Sequence, residues 1–252
     1  MLTLTNLTHR FSPTPPPVLQ NVSFSLQPNE FVSLLGPSGC GKSTILKLLS
    51  GLINVQEGNI HWTDNKRPNI GYVFQEPRLI PWRTVSQNLS LPFSLTGQPV
   101  SQETVTKHLH LVGLTPEDSK KLPHQLSGGM KMRVSLARAL MLQPSLLLFD
   151  EPFAALDEML REQLHEELLS LWSTLGWTGL FVTHNIAEAV FLSQRVLIMS
   201  TKPGEIIEEV KIDLPVERTP ELRTSARYLS LVAKISQTMR SIYRQPREVA
   251  PT

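Results

Sequence analysis

Residues 36–44 of the chain, GPSGCGKST, decide the fold that the sequence predicts. The stretch matches the pattern G-x-x-x-x-G-K-[ST], in which glycines let backbone N–H groups converge on an anion and the dipole of a following helix adds positive potential. A hydrophobic run, EFVSLLG, leads into it, and apolar residues at helical spacing follow it. A match by chance in a chain of this length has a probability of about one per cent. The competing interpretation is a glycine-rich turn with a surface lysine, and the strand and helix on either side argue against it.

The order of strand, glycine-rich turn and helix predicts a binding site for the phosphates of a nucleotide. We expect the backbone N–H groups of residues 39–44 and the ammonium of Lys42 to hold the phosphates, and the hydroxyl of Ser43 to bind Mg²⁺. The predicted phosphate-binding residues are Gly36, Pro37, Ser38, Gly39, Cys40, Gly41, Lys42, Ser43 and Thr44. The helix is predicted over Lys42 to Leu52, with a buried face formed by Ile45, Leu46, Leu48, Leu49 and Leu52.

A second predicted strand, SLLLFDEP from Ser145 to Pro152, ends in two acids. Its apolar run is typical of a strand that is buried on both faces. We expect Asp150 to bind Mg²⁺ and Glu151 to orient and deprotonate the attacking water. The competing interpretation is a solvated turn, and the phosphate-binding stretch upstream argues against it.

Two further polar side chains follow predicted strands. Gln75 comes after NIGYVF, and His184 comes after TGLFVT. Because the carboxyl ends of parallel strands meet at the edge where ligands bind, we expect both side chains near the phosphate-binding stretch. For His184, packing or helix capping is the competing interpretation, and the sequence leaves both open.

The stretch LSGGM, Leu126 to Met130, predicts a second helix N-terminus that is suited to a phosphate. Ser127 is a good N-cap, and Gly128 and Gly129 leave room for a ligand to approach the backbone closely. The simpler interpretation is a well-capped helix. These residues alone do not decide whether the N-terminus serves the chain's own nucleotide or that of another chain.

Hydrophobic patterning divides the rest of the chain into strands and helices. Alternation predicts half-buried antiparallel strands in residues 2–11 and 18–26, and the prolines of residues 13–17 predict a surface loop. Further strands are predicted at residues 30–36, 69–75, 145–151, 178–184, 195–200 and 204–212. Residues 85–142 have a helical pattern. A tail helix is predicted from Thr219 as N-cap, with a buried face formed by Leu222, Ala226, Leu229, Val232, Ile235, Met239 and Ile242.

Composition excludes several classes of protein. The chain has 252 residues, 40% of them hydrophobic, and a net charge of +2, which gives no broad attraction to nucleic acid. It contains no run of about 18 apolar residues, so no membrane span is expected, and its alternating N-terminus is unlike a signal peptide. Cys40 is the single cysteine, which excludes an internal disulfide and suits a cytosolic protein.

In this order, GPSGCGKST, LSGGM, LLLFDEP and AALD resemble the motifs of the nucleotide-binding subunits of ABC transporters, and the likeness covers nearly the whole chain. It implies an α/β fold of the P-loop NTPase class, ABC type, with an antiparallel β part, an inserted helical subdomain and a C-terminal helix. The expected core is residues 1–84 and 140–215, the helical subdomain with the signature motif is 85–139, and the helical tail is 216–252. The implied reaction is hydrolysis of ATP, with Mg²⁺ as cofactor.

The resemblance also assigns roles that the residues alone leave open. Gln75 lies at the position of a glutamine that contacts the metal and the attacking water, His184 at that of a γ-phosphate contact, and Phe11 at that of an aromatic that stacks on adenine. Ser127 and Gly129 correspond to residues that bind the ATP of the opposite subunit. The resemblance therefore implies that two chains sandwich two nucleotides head to tail.

A narrower resemblance points to importers. Residues 73–89, VFQEPRLIPWRTVSQNL, and residues 214–235, LPVERTPELRTSARYLSLVAKI, resemble the importers of nitrate, of sulfonates such as taurine and of related organic solutes. Met130 departs from the broad family, where Gln is usual, but Met is common in this subgroup. The implied partners are a second ATP-binding subunit, membrane-spanning permease subunits and, indirectly, a periplasmic or lipid-anchored solute-binding protein, with no nucleic acid. The implied location is the cytoplasmic face of the membrane.

Two questions stay open at this point. The rival function is a soluble ABC-type ATPase that acts in DNA repair or at the ribosome, although such proteins usually carry long coiled-coil insertions or two tandem cassettes. Trp82, in the segment RLIPWRTV, either contacts the permease or fills the seam between the core and the helical region.

Overall fold

A computed structural model describes residues 1–12, 16–201 and 203–244 of the chain. Its strands are β1 (Leu2–His9), β2 (Leu19–Leu26), β3 (Phe31–Leu35), β4 (Glu57–Trp62), β5 (Ile70–Val73), β6 (Leu146–Asp150), β7 (Thr178–Thr183), β8 (Arg195–Met199) and β9 (Ile206–Lys211). Its helices are α1 (Lys42–Ser50), α2 (Val85–Leu89), α3 (Leu91–Leu95), α4 (Gln102–Leu111), α5 (Gly128–Leu140), α6 (Glu158–Leu175), α7 (Ile186–Leu192) and α8 (Ala226–Arg244). Within the described ranges, no helix is both long and apolar enough to cross a lipid bilayer.

The larger sheet has the strand order β5-β6-β7-β3-β8-β9, and every neighbouring pair is parallel except β8 and β9. Every residue of β3 and β7 is buried, because both faces of the sheet are covered. The loops that follow β3, β5, β6 and β7 leave the sheet at one edge, since these strands run in the same direction. That edge carries the predicted phosphate-binding stretch and the predicted acids.

The smaller sheet is antiparallel, with the order β2-β1-β4. The antiparallel pairing predicted for the first two strands is confirmed, with Leu4 opposite Phe24. The sequence does not predict β4, because EGNIHW contains only two large apolar side chains. The strand forms because its Ile60 and Trp62 lie opposite Leu4 and Leu2 of β1. Pairing with a distant strand therefore decides its structure, and local pattern does not.

Helices α2 to α5 form the helical region that the pattern of residues 85–142 predicts. A separate hydrophobic cluster packs inside it, whose buried members are Val85, Leu89, Val105, Leu109, Val112, Leu114, Leu126, Val134, Ala137 and Met141, with Leu171 from α6. A cluster of its own is what an inserted subdomain requires. The bounds 85–139 for this subdomain, like those of the core and the tail, stay a prediction.

Helix α1 is shorter than predicted. It ends at Ser50, and Gly51 follows with a left-handed φ of 67° and donates its N–H to the carbonyl of Leu48. The chain leaves the helix axis at this cap, so the side chain of Leu52 is 60% exposed. The prediction that the helix reaches Leu52 and buries it is wrong, whereas the other four apolar side chains of the predicted face are buried.

The tail helix begins later than predicted, and its buried face agrees with the prediction at Ile235, Met239 and Ile242 but not before them. Residues 220–224 form a short 3₁₀ turn, and α8 begins at Ala226. The buried residues of α8 are Tyr228, Leu231, Ile235, Met239 and Ile242. Because the turn ends in the extended backbone of Ser225, Leu222 lies outside the helix. Within α8, Tyr228 and Leu231 occupy the buried face instead of Leu229, which is 53% exposed. The final residues of the predicted tail, 245–252, and residues 13–15 of the predicted loop lie outside the described residues.

The side chain of Trp82 is 78% exposed, so the interpretation that it fills the seam between the core and the helical region is wrong. Leu79 packs against the helical cluster instead. The buried amide of Asn88 fixes the turn: its Oδ1 accepts from the N–H of Ile80 over 2.7 Å, and its Nδ2 donates to the Arg83 carbonyl over 3.0 Å. This fixed turn leaves Trp82 on the surface.

Candidate active site

The phosphate-binding stretch connects β3 to the N-terminus of α1. Gly41 is the N-cap, with a φ of 101°, and Gly39 has a φ of 78°, so both adopt a conformation that other residues rarely reach. A Cβ at Gly41 would also lie 2.4 Å from the side chain of Leu19. Because Gly41 has no side chain to cap the helix, the N–H groups of the first turn stay available for an anion.

Lys42 is buried within the stretch that it belongs to. Its Nζ donates to the carbonyl of Gly36 over 2.8 Å and to that of Pro37 over 3.0 Å. The carboxylate of Glu151 lies 3.6 Å from the same nitrogen. These three oxygens hold the lysine charge at the predicted position of the phosphates.

Asp150, at the end of β6, accepts hydrogen bonds from two hydroxyls. Ser43 Oγ donates to Oδ1 over 2.6 Å, and the Tyr72 hydroxyl donates to Oδ2 over 3.0 Å. Burial, with the neighbouring charge of Asp150, raises the pKa of Tyr72, so the phenol stays a hydrogen-bond donor. Both oxygens of the carboxylate are therefore held in place before a ligand binds.

The oxygen donors of this corner fit Mg²⁺. Mg²⁺ is usually bound by one or two carboxylates together with water and substrate phosphates. Ser43 Oγ and Asp150 Oδ1 supply two hard oxygens 2.6 Å apart. Among the residues that the structure describes, no cluster of three or more His, Cys, Asp or Glu side chains could hold a metal ion by itself. The donor set therefore suits an ion that binds together with a nucleotide.

Glu151 lies between a lysine and a histidine. Its Oε2 is 2.7 Å from Nδ1 of His184, and its Oε1 faces Lys42. Its backbone is left-handed, with a φ of 47°, and its N–H donates to the carbonyl of Val182 over 3.0 Å. His184 does not cap α7, since Asn185 does so, and the capping interpretation of His184 is wrong. The structure thus brings Lys42, Glu151 and His184 together.

Gln75 and Phe11 lie at the border of this group. Gln75 is exposed and follows β5 by two residues; Val73 of β5 lies opposite Phe149, next to Asp150. Phe11 is 65% exposed, and its ring lies edge-on to His9, with the centroids 4.8 Å apart. The roles predicted for Gln75 at the metal and for Phe11 at adenine stay predictions.

Ser127 and Gly129 begin α5. Ser127 is the N-cap, and its Oγ accepts from the N–H of Met130 over 3.2 Å, so the interpretation as a well-capped helix is confirmed. A Cβ at Gly129 would lie 2.9 Å from the end of the Leu160 side chain, so α6 packs closely against this turn. Neither contact involves the phosphate-binding stretch, and a role at a nucleotide stays a prediction for both residues.

Comparison with known proteins places the chain in a family. The model of a family described as "ABC transporter" matches residues 19–154. An aliphatic sulfonates import ATP-binding protein of Bacillus thuringiensis is 44% identical over 225 residues, which is 87% of each chain.

The chain belongs to the ABC transporter family. An uncharacterized ABC transporter ATP-binding protein of Methanocaldococcus jannaschii is 44% identical over 224 residues, which cover 86% of this chain and 82% of that one. A solved dimeric ATP-binding cassette, MJ0796, bound to ADP and Pi, superposes with a TM-score of 0.73 at 32% identity, over 85% of this chain and all of the other. The predicted α/β fold of ABC type is therefore confirmed, and the chain is an ATP-binding ATPase of this type.

One contact of this ABC ATPase links the last turn of α5 to the loop after Gln75. Arg138, on α5, donates from Nη1 to the carbonyl of Arg78 over 2.9 Å and from Nη2 to that of Pro77 over 2.8 Å. Burial lowers the pKa of Arg138. The sequence gives no signal for this contact or for Tyr72, because an arginine within a helix and a tyrosine within a strand are common at sites of no special role.

Proposed function

We propose that this ABC ATPase energises the import of a small solute through membrane-spanning permease subunits, from the cytoplasmic face of the membrane. A relative at 44% identity is named as an aliphatic sulfonates import ATP-binding protein, which supports the nitrate, sulfonate, taurine or related organic class of solute. In this arrangement the ATPase does not touch the solute, since the permease encloses it. The alternative is a soluble ABC-type ATPase that is not coupled to transport.

Hydrolysis takes place, in this proposal, at the edge where β3, β6 and β7 end. Lys42 and the first-turn N–H groups of α1 bind the phosphates. Glu151 accepts a proton from the attacking water, and His184 contacts the γ-phosphate. The observation that carries these roles is the carboxylate of Glu151 between the Lys42 ammonium and the His184 ring. That carboxylate has a fixed orientation before the nucleotide binds, which favours proton transfer.

Mg²⁺ would be held by Ser43, Asp150 and Gln75, and its charge would offset that of the phosphates during transfer. Tyr72 occupies Oδ2 of Asp150 and thereby directs Oδ1 towards Ser43. Phe11 would stack on adenine, and its 65% exposure leaves a face free for that contact.

The proposed active form is a head-to-tail dimer in which Ser127 and Gly129 of one chain close the ATP site of the other. Two observations support it. Ser127 lies exposed at a helix N-terminus, where N–H groups and the helix dipole favour an anion. The solved cassette that is similar to this chain is dimeric.

The surface that contacts the permease is proposed to include Trp82 and the segment around it. Trp82 and Leu95 are 78% and 79% exposed, which is unusual for large apolar side chains without a partner. Arg138 holds the backbone of Pro77 and Arg78 just upstream. Movement at Gln75 would therefore be transmitted to a permease bound at this surface.

The experiment is uptake in liposomes that contain the chain and any permease encoded by a neighbouring gene. We expect Mg-ATP-dependent uptake of a labelled aliphatic sulfonate, taurine or nitrate, and none with Glu151→Gln. We expect Trp82→Ala to lower uptake about tenfold or more, as loss of a central interface aromatic does, while ATP hydrolysis by the free chain stays unchanged.

Tyr243→Ala is the matched control, because Tyr243 is an exposed aromatic of the tail, 64% accessible, far along the chain from that segment. Equal loss of uptake in both variants would contradict the assignment of the Trp82 surface. Failure of any permease to bind, together with stimulation of the ATPase by DNA or ribosomes, would favour the soluble alternative.

A further inference from the structure

A buried polar chain joins the C-terminal tail to the turn that carries His184. Thr183, the last residue of β7, donates from Oγ1 to the carboxylate of Glu188. The other oxygen of that carboxylate lies 2.8 Å from Nε2 of His165, on α6. Nδ1 of the same ring lies 3.4 Å from Nη2 of Arg223, which belongs to the 3₁₀ turn before α8.

The middle of this chain of hydrogen-bonded side chains is deeply buried. Thr183 and His165 are each 2% exposed, and Glu188 is 6% exposed. A buried carboxylate is costly unless donors satisfy it, and here a hydroxyl and an imidazole do so. The proposed hydrolysis uses none of these groups, so their presence in the core calls for another explanation.

Glu188 fixes the residues on both sides of His184. Thr183 precedes the histidine and binds the Glu188 side chain. Asn185 follows it, donates its N–H to Thr183 Oγ1 over 2.9 Å, and accepts from the N–H of Glu188 over 3.1 Å. The backbone of His184 therefore lies between two residues that a single buried acid holds, and a shift of that acid would move the ring that contacts Glu151.

Arg223 selects one tautomer of the His165 ring. A guanidinium only donates hydrogen bonds, so Nδ1 of His165 must accept, and the ring proton is then on Nε2, where it is donated to Glu188. The guanidinium also stacks on Phe191, with its carbon 3.6 Å from the ring centroid. Docking of the tail thereby fixes the donor that Glu188 needs.

We infer that Arg223 of the C-terminal tail positions His184 for ATP hydrolysis, acting through His165, Glu188 and Thr183. All four are positioning residues, since His184 itself makes the contact with Glu151. Through these hydrogen bonds the tail controls the turnover of ATP, in addition to covering the core. The inference rests on the proposed roles of Glu151 and His184.

The test compares two arginines of the same tail. Arg223→Met keeps an apolar side chain over Phe191 and removes the donor to His165. Arg218 supplies the matched control, because it is also largely buried but donates to the carbonyls of Val190 and Ser193, each at 3.2 Å. Arg218→Met therefore loosens the tail and removes none of the hydrogen bonds of the polar chain.

The measurements are kcat and KM for Mg-ATP with the full chain, together with the melting temperature. We expect Arg223→Met to lower kcat about three- to tenfold while KM changes by less than about twofold, the size typical of coupling through a network. For Arg218→Met we expect a similar fall in melting temperature and a kcat within about twofold of wild type. An unchanged kcat in Arg223→Met, or equal losses in the two variants, would overturn the inference.

The route is tested by two further comparisons. His165→Gln offers an amide that can donate to Glu188 and accept from Arg223, so we expect it to retain kcat, whereas His165→Leu loses it. In a His184→Ala background, Arg223→Met should cause no further loss, since both changes act on one step. Fully additive losses would overturn the route.

The proposed catalytic roles have a separate test. If Glu151→Gln hydrolysed ATP at the wild-type rate, those roles would be wrong, whatever the comparison of the two arginines shows.

Discussion

Two glycine-rich helix N-termini in this molecule have opposite surroundings. At the start of α1, Lys42 and Ser43 face the carboxylates of Glu151 and Asp150. At the start of α5, the exposed Ser127 makes its hydrogen bond within its own helix. Both N-termini can bind an anion. The first belongs to a site built inside the chain, whereas the second is the one proposed to complete a site on a second molecule.

The glycines of the two N-termini also differ in backbone conformation. Gly41 needs its left-handed φ of 101° to turn the chain into α1. Gly129 has no positive φ, and a Cβ there would meet only the end of the Leu160 side chain, at the start of α6. A glycine pair in a sequence is therefore not enough to identify a phosphate site, and the charged groups around it carry the distinction.

The largest expected effect tests the site of α1. Glu151→Gln should lower kcat at least about 100-fold while ATP still binds, since an amide cannot accept the proton of the attacking water. Lys42→Ala should instead weaken binding of ATP itself. Phosphate release and titration with a fluorescent ATP analogue separate the two outcomes. Glu158→Gln, at an exposed acid that begins α6, is the control, and wild-type turnover by Glu151→Gln would show that the base is another group.

An intermediate effect tests the site of α5. Chains carrying Lys42→Ala and Ser127→Arg are each expected to be inactive as homodimers. Co-expressed with two different tags and purified through both, they form a heterodimer in which one site is wholly intact, so about half of the wild-type activity should return. A heterodimer as inactive as its parents would show that Ser127 serves the nucleotide of its own chain.

The smallest effect concerns the thiol in the phosphate-binding stretch. Cys40 is 1% exposed, and burial raises its pKa, so little thiolate forms at neutral pH. We expect maleimide to label it at least about tenfold more slowly than a free thiol, and Cys40→Ser to leave ATP hydrolysis nearly unchanged. Rapid labelling, followed by mass spectrometry, would contradict the buried geometry.

The same burial decides how the two N-termini can be cross-linked. Ser38 is exposed, so Ser38→Cys with Cys40→Ser and Ser127→Cys offers two reachable thiols. In a Glu151→Gln background with Mg-ATP, a short bis-maleimide should yield covalent dimers, and the variant without Ser127→Cys is the control. An internal cross-link that leaves the chain monomeric on a denaturing gel would contradict the two-chain site.

The sequence predicts the parts of the site that local signals mark. The phosphate-binding stretch lies between a strand and a helix, and Asp150, Glu151 and His184 each follow an apolar run. Tyr72 and Arg138 carry no such signal, because their partners are 78 and about 60 residues away in the chain. A contact of that kind depends on how the strands and helices pack, which local patterns do not specify.

The fold, too, is predicted where a local signal exists and missed where it depends on distant contacts. Continuous apolar runs predict the buried strands correctly, whereas β4 depends on pairing with β1. Helix ends are the other weakness, since a left-handed cap after Ser50 exposes Leu52 and a 3₁₀ turn delays the start of the tail helix to Ala226. In each case the helical period is real but stops at a point that the pattern does not mark.

The left-handed backbone of Glu151 places conformational strain at the proposed catalytic base. A side chain in this conformation costs about 1–2 kcal/mol that glycine would not incur. Glu151 thus carries its carboxylate on a backbone with a φ of 47°, a conformation that glycine adopts with less strain. Replacing Glu151 by glycine would relieve this strain but would also remove the carboxylate from buried Lys42 and from His184. In the proposed mechanism the same carboxylate takes the proton from water, so the strain at position 151 lies in the group that the reaction needs.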